Sequence, residues 1–428
     1  MDFALSTRHE EIRRTAAKVA REVVAPRAAE VDREGVFPWD YVAAFREAGL
    51  LRLGLPVEYG GSGDGSLGLA LAVEEAAKYC CSAGLILLTT RLATTAIDIA
   101  GSAAQKERYL RGVAAGELRG CFALTEPGAG SDSSSIATTA RRDGDSYVLD
   151  GMKIWAGQAT VADFALVVAK TDSAKGNRGV SVFLVDLPNS GFRITRELPK
   201  MGVLGVPVVE IVLRDCRVPA SALLGRENEG FKLVMRHLNA VRPLVAARGV
   251  GLAAGASAYA LAYARSRRTF GQPLIEHEAV MFKLAETAMR IEAARLLTYR
   301  AAWLVDEGGD DRDVAHHLSI AKTMASEVAV KASEDAVQIL GGMGYLKDYP
   351  VERFYRDAKQ LTLVEGTSEI HRLIIGRALR DGLLDWEVDV DAMGILPHSP
   401  DDDALREARI AALDLREVEH PAAALSPS

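Results

Sequence analysis

The chain changes its periodicity twice, and that order restricts the fold more than any other feature. From residue 1 to about 119, apolar residues recur at spacings of three and four in runs such as SLGLALAVEEAAKYCCSAGLILLTTRLATTAIDIAG, with Gly and Pro at the breaks. Such spacing gathers the apolar side chains on one stripe of a helix. From about 120 to 226 the runs are short and rich in Val, Ile and Phe, as in DFALVVAKT, GVSVFLVDL and VVEIVLRDCRVP, and read as strands. From about 227 to 384 long helical periodicity returns. Helices, then a compact β unit, then helices make an α+β chain, mainly α, without the strand and helix alternation of a doubly wound sheet. The segments are an N-terminal helical domain (1–119), a middle β domain (120–226), a C-terminal helical domain (227–384) and an acidic, Ala- and Pro-rich tail (385–428) expected to be partly disordered.

Local signals refine that order. Ser66 and Ser102 stand where helices begin and are expected to cap them. Asp143-Gly144 and Asp150-Gly151 are hairpin-type dipeptides between strand-like runs. Gly63-Asp64-Gly65-Ser66-Leu67-Gly68 spells GxGxxG, but a dinucleotide fingerprint needs a buried strand before it and a βαβ unit around it. LRLGLPVEYG precedes it and a helix follows with no second strand, so a tight loop opening a helix is the better reading.

With 49% hydrophobic and 25% charged residues over 428 positions, the chain can bury a sizeable core. A net charge of −7, with no basic run, gives no footprint for nucleic acid or an anionic membrane surface. No apolar stretch is read as reaching the ~18 residues of a membrane span. MDFALSTRHEEIRR lacks the basic-then-apolar order of a secretory signal. Cys80, Cys81, Cys121 and Cys216 show no CxxC spacing and suit a reduced, cytoplasmic setting as small core residues. The histidines form no HxxxH or HExxH pattern; His316-His317 reads as a half-exposed pair on a helix, and no metal site is expected.

In LTLVEGTSEIHR, residues 361–372, Glu365 ends an apolar run and abuts Gly366. It is either a solvated residue ahead of a helix capped by Thr367 or Ser368, or an acid in a low-dielectric pocket, its pKa raised to accept a proton. This stretch alone favours the first. Three others bear on the choice. CFALTEPGAGSDSSSI (121–136) combines Gly128 and Gly130, which let backbone amides approach a ligand, with the hydroxyls of Thr125, Ser131 and Ser134. GMKIWAGQATVADF (151–164) sets Trp155 on a hairpin before small residues, although on composition a buried core Trp is the commoner case. RSRRTFGQPLIEHEAV (265–280) places basic residues and Phe270 at a break between long helices, where a solvated helix end is the ordinary reading.

In this order, and together with LVEGTSEI, PVEYGGSGDG and DAVQILGGMGYLKDYPVERFYRDAK (335–359), these stretches resemble the acyl-CoA dehydrogenase family from residue 1 to about 384. The resemblance implies a helical N-terminal domain, a middle β-barrel or sandwich and a C-terminal four-helix bundle. It implies FAD as cofactor and an acyl-CoA substrate, with Glu365 taking the α-proton and flavin N5 the β-hydride. Phe122, Leu124, Thr125, Gly130 and Ser131 match the loop lining the flavin ring, and Trp155 the aromatic packed on it. Thr367 and Glu369 match positions near its pyrophosphate and adenosine half. Arg267, Thr269 and Phe270, with Gln338, Gly341 and Gly342, match groups reaching the FAD of a neighbouring subunit. A homo-oligomer, typically a tetramer, is thereby implied. Ser131, Asn239, Arg242 and Arg377 match positions touching the thioester's pantetheine and nucleotide, and Gly366 lets the chain pass close to the substrate. An electron-transferring flavoprotein is the implied acceptor. The Glu365 amide and a ribityl hydroxyl are expected to polarise the thioester carbonyl, and Leu363 and Val364 to desolvate the acid.

Some positions depart from the family pattern. Where Ile-Thr-Asn commonly follows the tryptophan, this chain has Ala156-Gly157-Gln158, and Gly157 offers the flavin no hydroxyl; altered oxygen reactivity is one expected consequence. Glu278 replaces a common Gln, and Val364 a common Tyr or Thr. Some members place the base on a helix beside the arginine matched by Arg242; that neighbour is Val241 here, which leaves Glu365 without a rival. Bulky Ile86 and Leu87 at the expected floor of the acyl pocket point to a short or branched acyl group. Arg91 reads as a helix-surface residue rather than the partner of a substrate carboxylate, and Cys81 stands where glutaryl-type members carry an arginine. Two alternatives stay open. One is the same fold acting on a carrier-protein-bound acyl group or as an oxygen-using oxidase; the other is a non-catalytic flavin-binding homologue.

Overall fold

The computed structural model describes residues 4–309 and 313–388. Ser6 accepts from the His9 amide and starts α1 (Thr7–Val19), which continues through one π turn into α2 (Ala25–Glu34) and ends at Gly35. After α3 (Trp39–Glu47) come the apolar helices α4 (Gly65–Ala77) and α5 (Cys81–Ala100), then the short α6 (Ala103–Gln105) and α7 (Arg111–Ala114). Ser102 caps α6 in a capping box with Gln105, as expected. Ser66 does not cap α4. The Asp306 carboxylate, from far along the chain, accepts from the Ser66 and Leu67 amides at 2.5 and 3.1 Å and takes that role. The GxGxxG run forms the turn into α4 with no strand before it; the first strand among the described residues starts at Gly120.

The middle segment carries β1 (Gly120–Ala123), β2 (Thr139–Asp143), β3 (Ser146–Gly157), β4 (Phe164–Lys170), β5 (Val180–Asp186), β6 (Phe192–Glu197), β7 (Val208–Pro219) and β8 (Leu223–Leu224). Their order is β6-β7-β3-β2-β4-β5-β8, with β1 parallel to β4. Alternation along β4 serves two cores from one strand. Phe164, Leu166 and Val168 pack with Ile97, Leu110 and Leu233 from the helical segments, whereas Ala165, Val167 and Ala169 pack with Leu149, Ile211 and Leu213 of β3 and β7. The sheet thus folds over on itself and lays one outer face against helices. Gly144 turns the β2–β3 hairpin as expected. Asp150-Gly151 does not turn a hairpin. It lies inside β3 at a register shift against β7, where Gly151 has φ 153° and a Cβ would meet Thr138 Oγ1 at 2.4 Å. That glycine serves a bulge and a close approach.

The second helical segment holds α8 (Gly230–Ser266), the two-residue strands β9 (Arg268–Thr269) and β10 (Gln272–Pro273), α9 (Glu278–Asp306), α10 (Ala315–Leu340), α11 (Pro350–Leu361) and α12 (Ser368–Arg380). α8, α9 and α10 pack together, with α11 and α12 against α10. One core joins both helical segments, running from Ile12 through Val73 and Val250 to Leu361. α5 and α8 are, contrary to the sequence reading, long and apolar enough to cross a bilayer, yet 67% of each apolar window is buried inside the chain. All four cysteines are free and buried. His316 is 2% exposed rather than half-exposed. The described residues up to Arg380 form one unit; of the second, residues 381–388 are described and hold no helix or strand. The disorder expected for the tail falls, from residue 389 on, outside the described residues.

Asp357 on α11 ties the β unit to the C-terminal helices. It is 2% exposed and accepts from the Val203 amide, ahead of β7, at 2.5 Å. Burial pushes its carboxyl up to about 6, against the pull of the Val203 bond and of Arg353 and Arg356. A carboxyl whose folded pKa lies above its ordinary value adds stability in full below that ordinary value and loses it as pH rises through about 6. Stability is therefore expected to fall by about 3 kcal/mol between roughly pH 4 and 8 through this group. Asp357→Asn is expected to remove that decline. Thermal unfolding across this pH range checks it, and parallel wild-type and variant curves would refute it.

Candidate active site

Glu365 sits on a turn of unusual backbone shape. α11 ends at Leu361, and the Leu363 and Val364 amides both reach the Gln360 carbonyl, at 2.9 and 3.1 Å. The Ser368 amide returns to the Thr362 carbonyl at 3.1 Å, and the Thr367 hydroxyl accepts from the Ile370 amide at 3.3 Å as the cap of α12. Between these anchors Glu365 has φ 54° and Gly366 φ 94°. The left-handed region costs a non-glycine residue about 1 kcal/mol or more, so the surroundings must hold it there. His371 Nε2 lies 3.2 Å from the Glu365 carbonyl oxygen, and Lys322 Nζ donates to the Gly366 carbonyl at 2.7 Å.

The Glu365 side chain faces cations. Arg242 and Arg248 of α8 and Lys322 of α10 are 6%, 1% and 0% exposed, and all act electrostatically on the half-buried Glu365. Burial raises the Glu365 carboxyl above its ordinary range, and the cations pull against that without cancelling it. This is not the setting of a solvated helix-start residue. Its cause also differs from expectation. Leu363 is 55% exposed and gives the acid little shelter, and Val364 is only half-buried. Shelter comes instead from buried side chains of α8, α10 and α12. Burial brings Lys322 down to about 7 and Arg242 to about 10, with Glu365 opposing in both cases. It brings His371 to about 2, leaving that ring neutral.

The turn gathers Glu365, Gly366, Arg242 and Asn239. Arg242 Nη1 donates to Asn239 Oδ1 and reaches Ser319 Oγ at 3.4 Å, and Ser319 Oγ lies 3.2 Å from His371 Nδ1. Arg248 Nη2 donates to Gln360 Oε1 at 2.9 Å, which ties α8 to the end of α11. Arg377 and Glu369 are exposed on α12, and Thr367 is half-buried. Sequence reasoning missed Arg248, Ser319, Lys322 and His371. A signal was present for two of them. Arg248 interrupts LVAARGVG and Lys322 interrupts SIAKTMA, lone charges in apolar helical runs that a helix can bury only with partners.

A second group forms along β1 and β3. The Ile154 amide donates to the Thr125 carbonyl at 2.9 Å, so the loop after β1 runs beside Trp155. Glu126 fixes that loop, accepting from Lys153 Nζ at 2.6 Å and from the Ala137 and Thr138 amides at 2.6 and 3.1 Å. Trp155 has φ 66° and is 59% exposed, unlike the core Trp that composition favours. A Cβ on Gly130 or Gly157 would meet nothing within 4 Å. Gln158 cannot stand in for the missing hydroxyl, because its amide donates to the Gly120 carbonyl and accepts from Thr89. The Phe122 ring packs on His237 of α8 with centroids 4.6 Å apart, which joins this group to the helix bearing Arg242. Leu124 is half-buried and Ser131 exposed.

The third expected set lies apart. Phe270 is 98% exposed at the turn between β9 and β10; Arg267, Gln338, Gly341 and Gly342 are exposed, and Thr269 is half-buried against His277. Among the described residues none of the six hydrogen-bonds to the Glu365 or Trp155 groups. Glu278 is exposed in the first turn of α9, where a carboxylate suits the positive helix end. Arg91 pairs with Asp98 at 3.1 Å with only 16% of its side chain exposed, so it is more buried than the helix-surface residue expected, and Ile86 and Leu87 are buried.

Family models for the N-terminal, middle and C-terminal domains of acyl-CoA dehydrogenases match residues 6–117, 121–216 and 228–380. The chain belongs to the acyl-CoA dehydrogenase family. The human short-chain specific acyl-CoA dehydrogenase, mitochondrial, is 41% identical over 374 residues, which span 87% of this chain and 90% of that protein. The solved butyryl-CoA dehydrogenase of Megasphaera elsdenii is 38% identical with a TM-score of 0.86, covering 89% of this chain and 100% of that one. A chain in the structure described as the electron transferring flavoprotein of Acidaminococcus fermentans is 40% identical with a TM-score of 0.86, covering 89% and 99%. As an acyl-CoA dehydrogenase the protein is an oxidoreductase, and the family uses FAD. The residues present fit that cofactor. The Trp155 indole is exposed, a Cβ on Gly130 or Gly157 would meet nothing within 4 Å, and the loop that carries the Thr125 and Ser131 hydroxyls is joined to β3 next to Trp155 through the Thr125 carbonyl.

Proposed function

We propose that this acyl-CoA dehydrogenase introduces an α,β double bond into a short or branched acyl-CoA, with Glu365 as the base. The raised carboxyl of Glu365, on a turn whose carbonyls meet Lys322 and His371 and within the field of the buried Arg242 and Arg248, carries this reading. Burial makes the carboxylate a stronger base, while Arg242, Arg248 and Lys322 keep enough of it ionised to take a proton. The Glu365 amide makes no hydrogen bond among the described residues, and in this reading it donates to the thioester carbonyl oxygen as charge develops there. FAD bound beside Trp155 supplies the hydride acceptor. Buried Ile86 and Leu87, and the likeness to short-chain and butyryl-CoA enzymes, support a short acyl group. Electrons then pass to an electron-transferring flavoprotein. Anaerobic mixing of the holoenzyme with acyl-CoAs of graded length and branching tests this reading. Short or branched chains are expected to bleach the flavin fastest, and a flavin that no thioester bleaches would overturn it.

Gly157 supports a second acceptor, molecular oxygen, because open space replaces a side chain beside Trp155. Peroxide formed in air during turnover would reveal it. Running the same acyl group on CoA and on a carrier protein separates the two substrate readings.

The enzyme is further proposed to be a homo-oligomer, typically a tetramer. Phe282, Met289, Leu296 and Trp303 recur every seven residues on α9 and are 60%, 71%, 52% and 51% exposed. A straight helix drifts ~20° per heptad, so they share one stripe. An apolar stripe of that length calls for cover, and a second copy is what the family resemblance implies. Leu296→Glu is expected to lower the solution mass measured by light scattering. An unchanged mass would count against this face as the interface.

A further inference from the structure

We propose that Lys322 and His371 are positioning residues that clamp the two carbonyls of the Glu365-Gly366 turn and so aim the base. The inference rests on the reading of Glu365 as the base. Both side chains are 0% exposed, and each reaches one carbonyl of a residue with positive φ: His371 that of Glu365 at 3.2 Å, Lys322 that of Gly366 at 2.7 Å. They come from different helices, α12 and α10, so the turn is held from two sides.

The hydrogen-bond directions are fixed by chemistry. A guanidinium only donates, so Ser319 Oγ accepts from Arg242 at 3.4 Å. That leaves the hydroxyl a second lone pair, and the direction of its 3.2 Å bond to His371 Nδ1 is set from the other side of a neutral ring, where the Glu365 carbonyl needs a donor and Nδ1 is left to accept. The ring proton is left on Nε2, facing the Glu365 carbonyl, which can only accept. One tautomer of a neutral His371 satisfies the whole run, and burial beside Arg242 and Lys322 keeps the ring neutral. Lys322 adds charge to its donor role. The charged and titratable groups facing Glu365 are Arg242 and Arg248 from α8, Lys322 from α10 and His371 from α12, while α11 contributes the neutral Gln360. Without the clamp the turn is free to leave the left-handed region and swing the carboxylate aside. A misplacement of about 1 Å can cost roughly 100-fold in rate.

The test uses full-length holoenzyme carrying Lys322→Met, Lys322→Gln, His371→Phe or His371→Gln, with anaerobic flavin reduction by butyryl-CoA followed against pH. Lys322→Met is expected to slow reduction about 100-fold and to move the acid limb up by about 1 pH unit, since a cation beside the carboxylate is lost. Lys322→Gln keeps a donor, so it recovers rate but keeps the displaced limb. His371→Gln keeps a donor and is expected to outpace His371→Phe at least tenfold, both with the wild-type limb. A wild-type limb in both Lys322 variants, or equal rates in the two His371 variants, would overturn the proposal. Nitrogen-15 NMR of histidine-labelled wild type gives a readout free of folding defects and of turnover. The signal missing from His371→Gln is expected to be a neutral, Nε2-protonated ring down to at least about pH 5; an Nδ1-protonated ring or an imidazolium there overturns the clamp. A wild-type enzyme inert to every thioester would sink the proposed function, while the tautomer would still decide the clamp.

Discussion

Glu365→Gln is expected to slow anaerobic flavin reduction by acyl-CoA about 10³-fold, within the range a positioned general base supplies. The amide has nearly the shape of the carboxylate, and the bonds that hold the turn run to the carbonyls of residues 365 and 366, not to the side chain. Fold and flavin content are therefore expected to survive. What disappears is a group that can accept a proton. The substitution also leaves Arg242, Arg248 and Lys322 without the acid that faces them, so the Lys322 ammonium, already lowered by burial, should lose its proton more readily. Rapid-mixing absorbance of the variant beside wild type measures the effect. A variant that keeps more than a tenth of the wild-type rate would remove Glu365 from the role of base.

The largest stability effect is expected at Glu126. Lys153 is 0% exposed, and its Nζ bonds only Glu126 and the Leu124 carbonyl, at 2.6 and 3.0 Å, among the described residues. Burial alone would push the Glu126 carboxyl up; the Lys153 ammonium and the Thr138 and Ala137 bonds override that and hold it below its ordinary range. Glu126→Gln keeps one oxygen, so it can accept from only one of the Ala137 and Thr138 amides, which bond different oxygens of the carboxylate, and sets an NH2 against the other; it also strands a buried ammonium, a change that typically costs about 3–5 kcal/mol. The loop from Phe122 to Ser131 hangs on this residue, so flavin retention on gel filtration should fall together with the unfolding midpoint. Adding Lys153→Met removes the stranded charge and is expected to restore the part of the loss that the charge causes. Equal destabilisation in the single and double variants would show that the ion pair is not what matters.

The layer order was legible because period and composition report burial directly: among the described residues all strands but the two-residue β9 and β10 fall between Gly120 and Leu224, with long helices on both sides. Failures came where tertiary partners overrule local signals. Asp306, distant in sequence, took the capping role assigned to Ser66. Asp150-Gly151 became a bulge because β7 and Thr138 crowd it. α5 and α8 passed for neither span nor exception, since their apolar surface is matched by other helices of the same chain. At the site, Glu365 and Arg242 were found through motifs, but the shelter of the acid was assigned to its sequence neighbours. It belongs to residues up to 123 positions away, as Arg242 is from Glu365, and nothing local marks His371 or Ser319 as their partners.

The central claim is that Glu365 removes the α-hydrogen of a thioester. It is tested most directly by single-turnover, anaerobic flavin bleaching with butyryl-CoA and with the same thioester deuterated at the α-carbon. Bleaching by both, slowed by the α-deuterium and lost in Glu365→Gln, is the predicted result. Bleaching at the same rate with either isotope and undiminished in Glu365→Gln would contradict it.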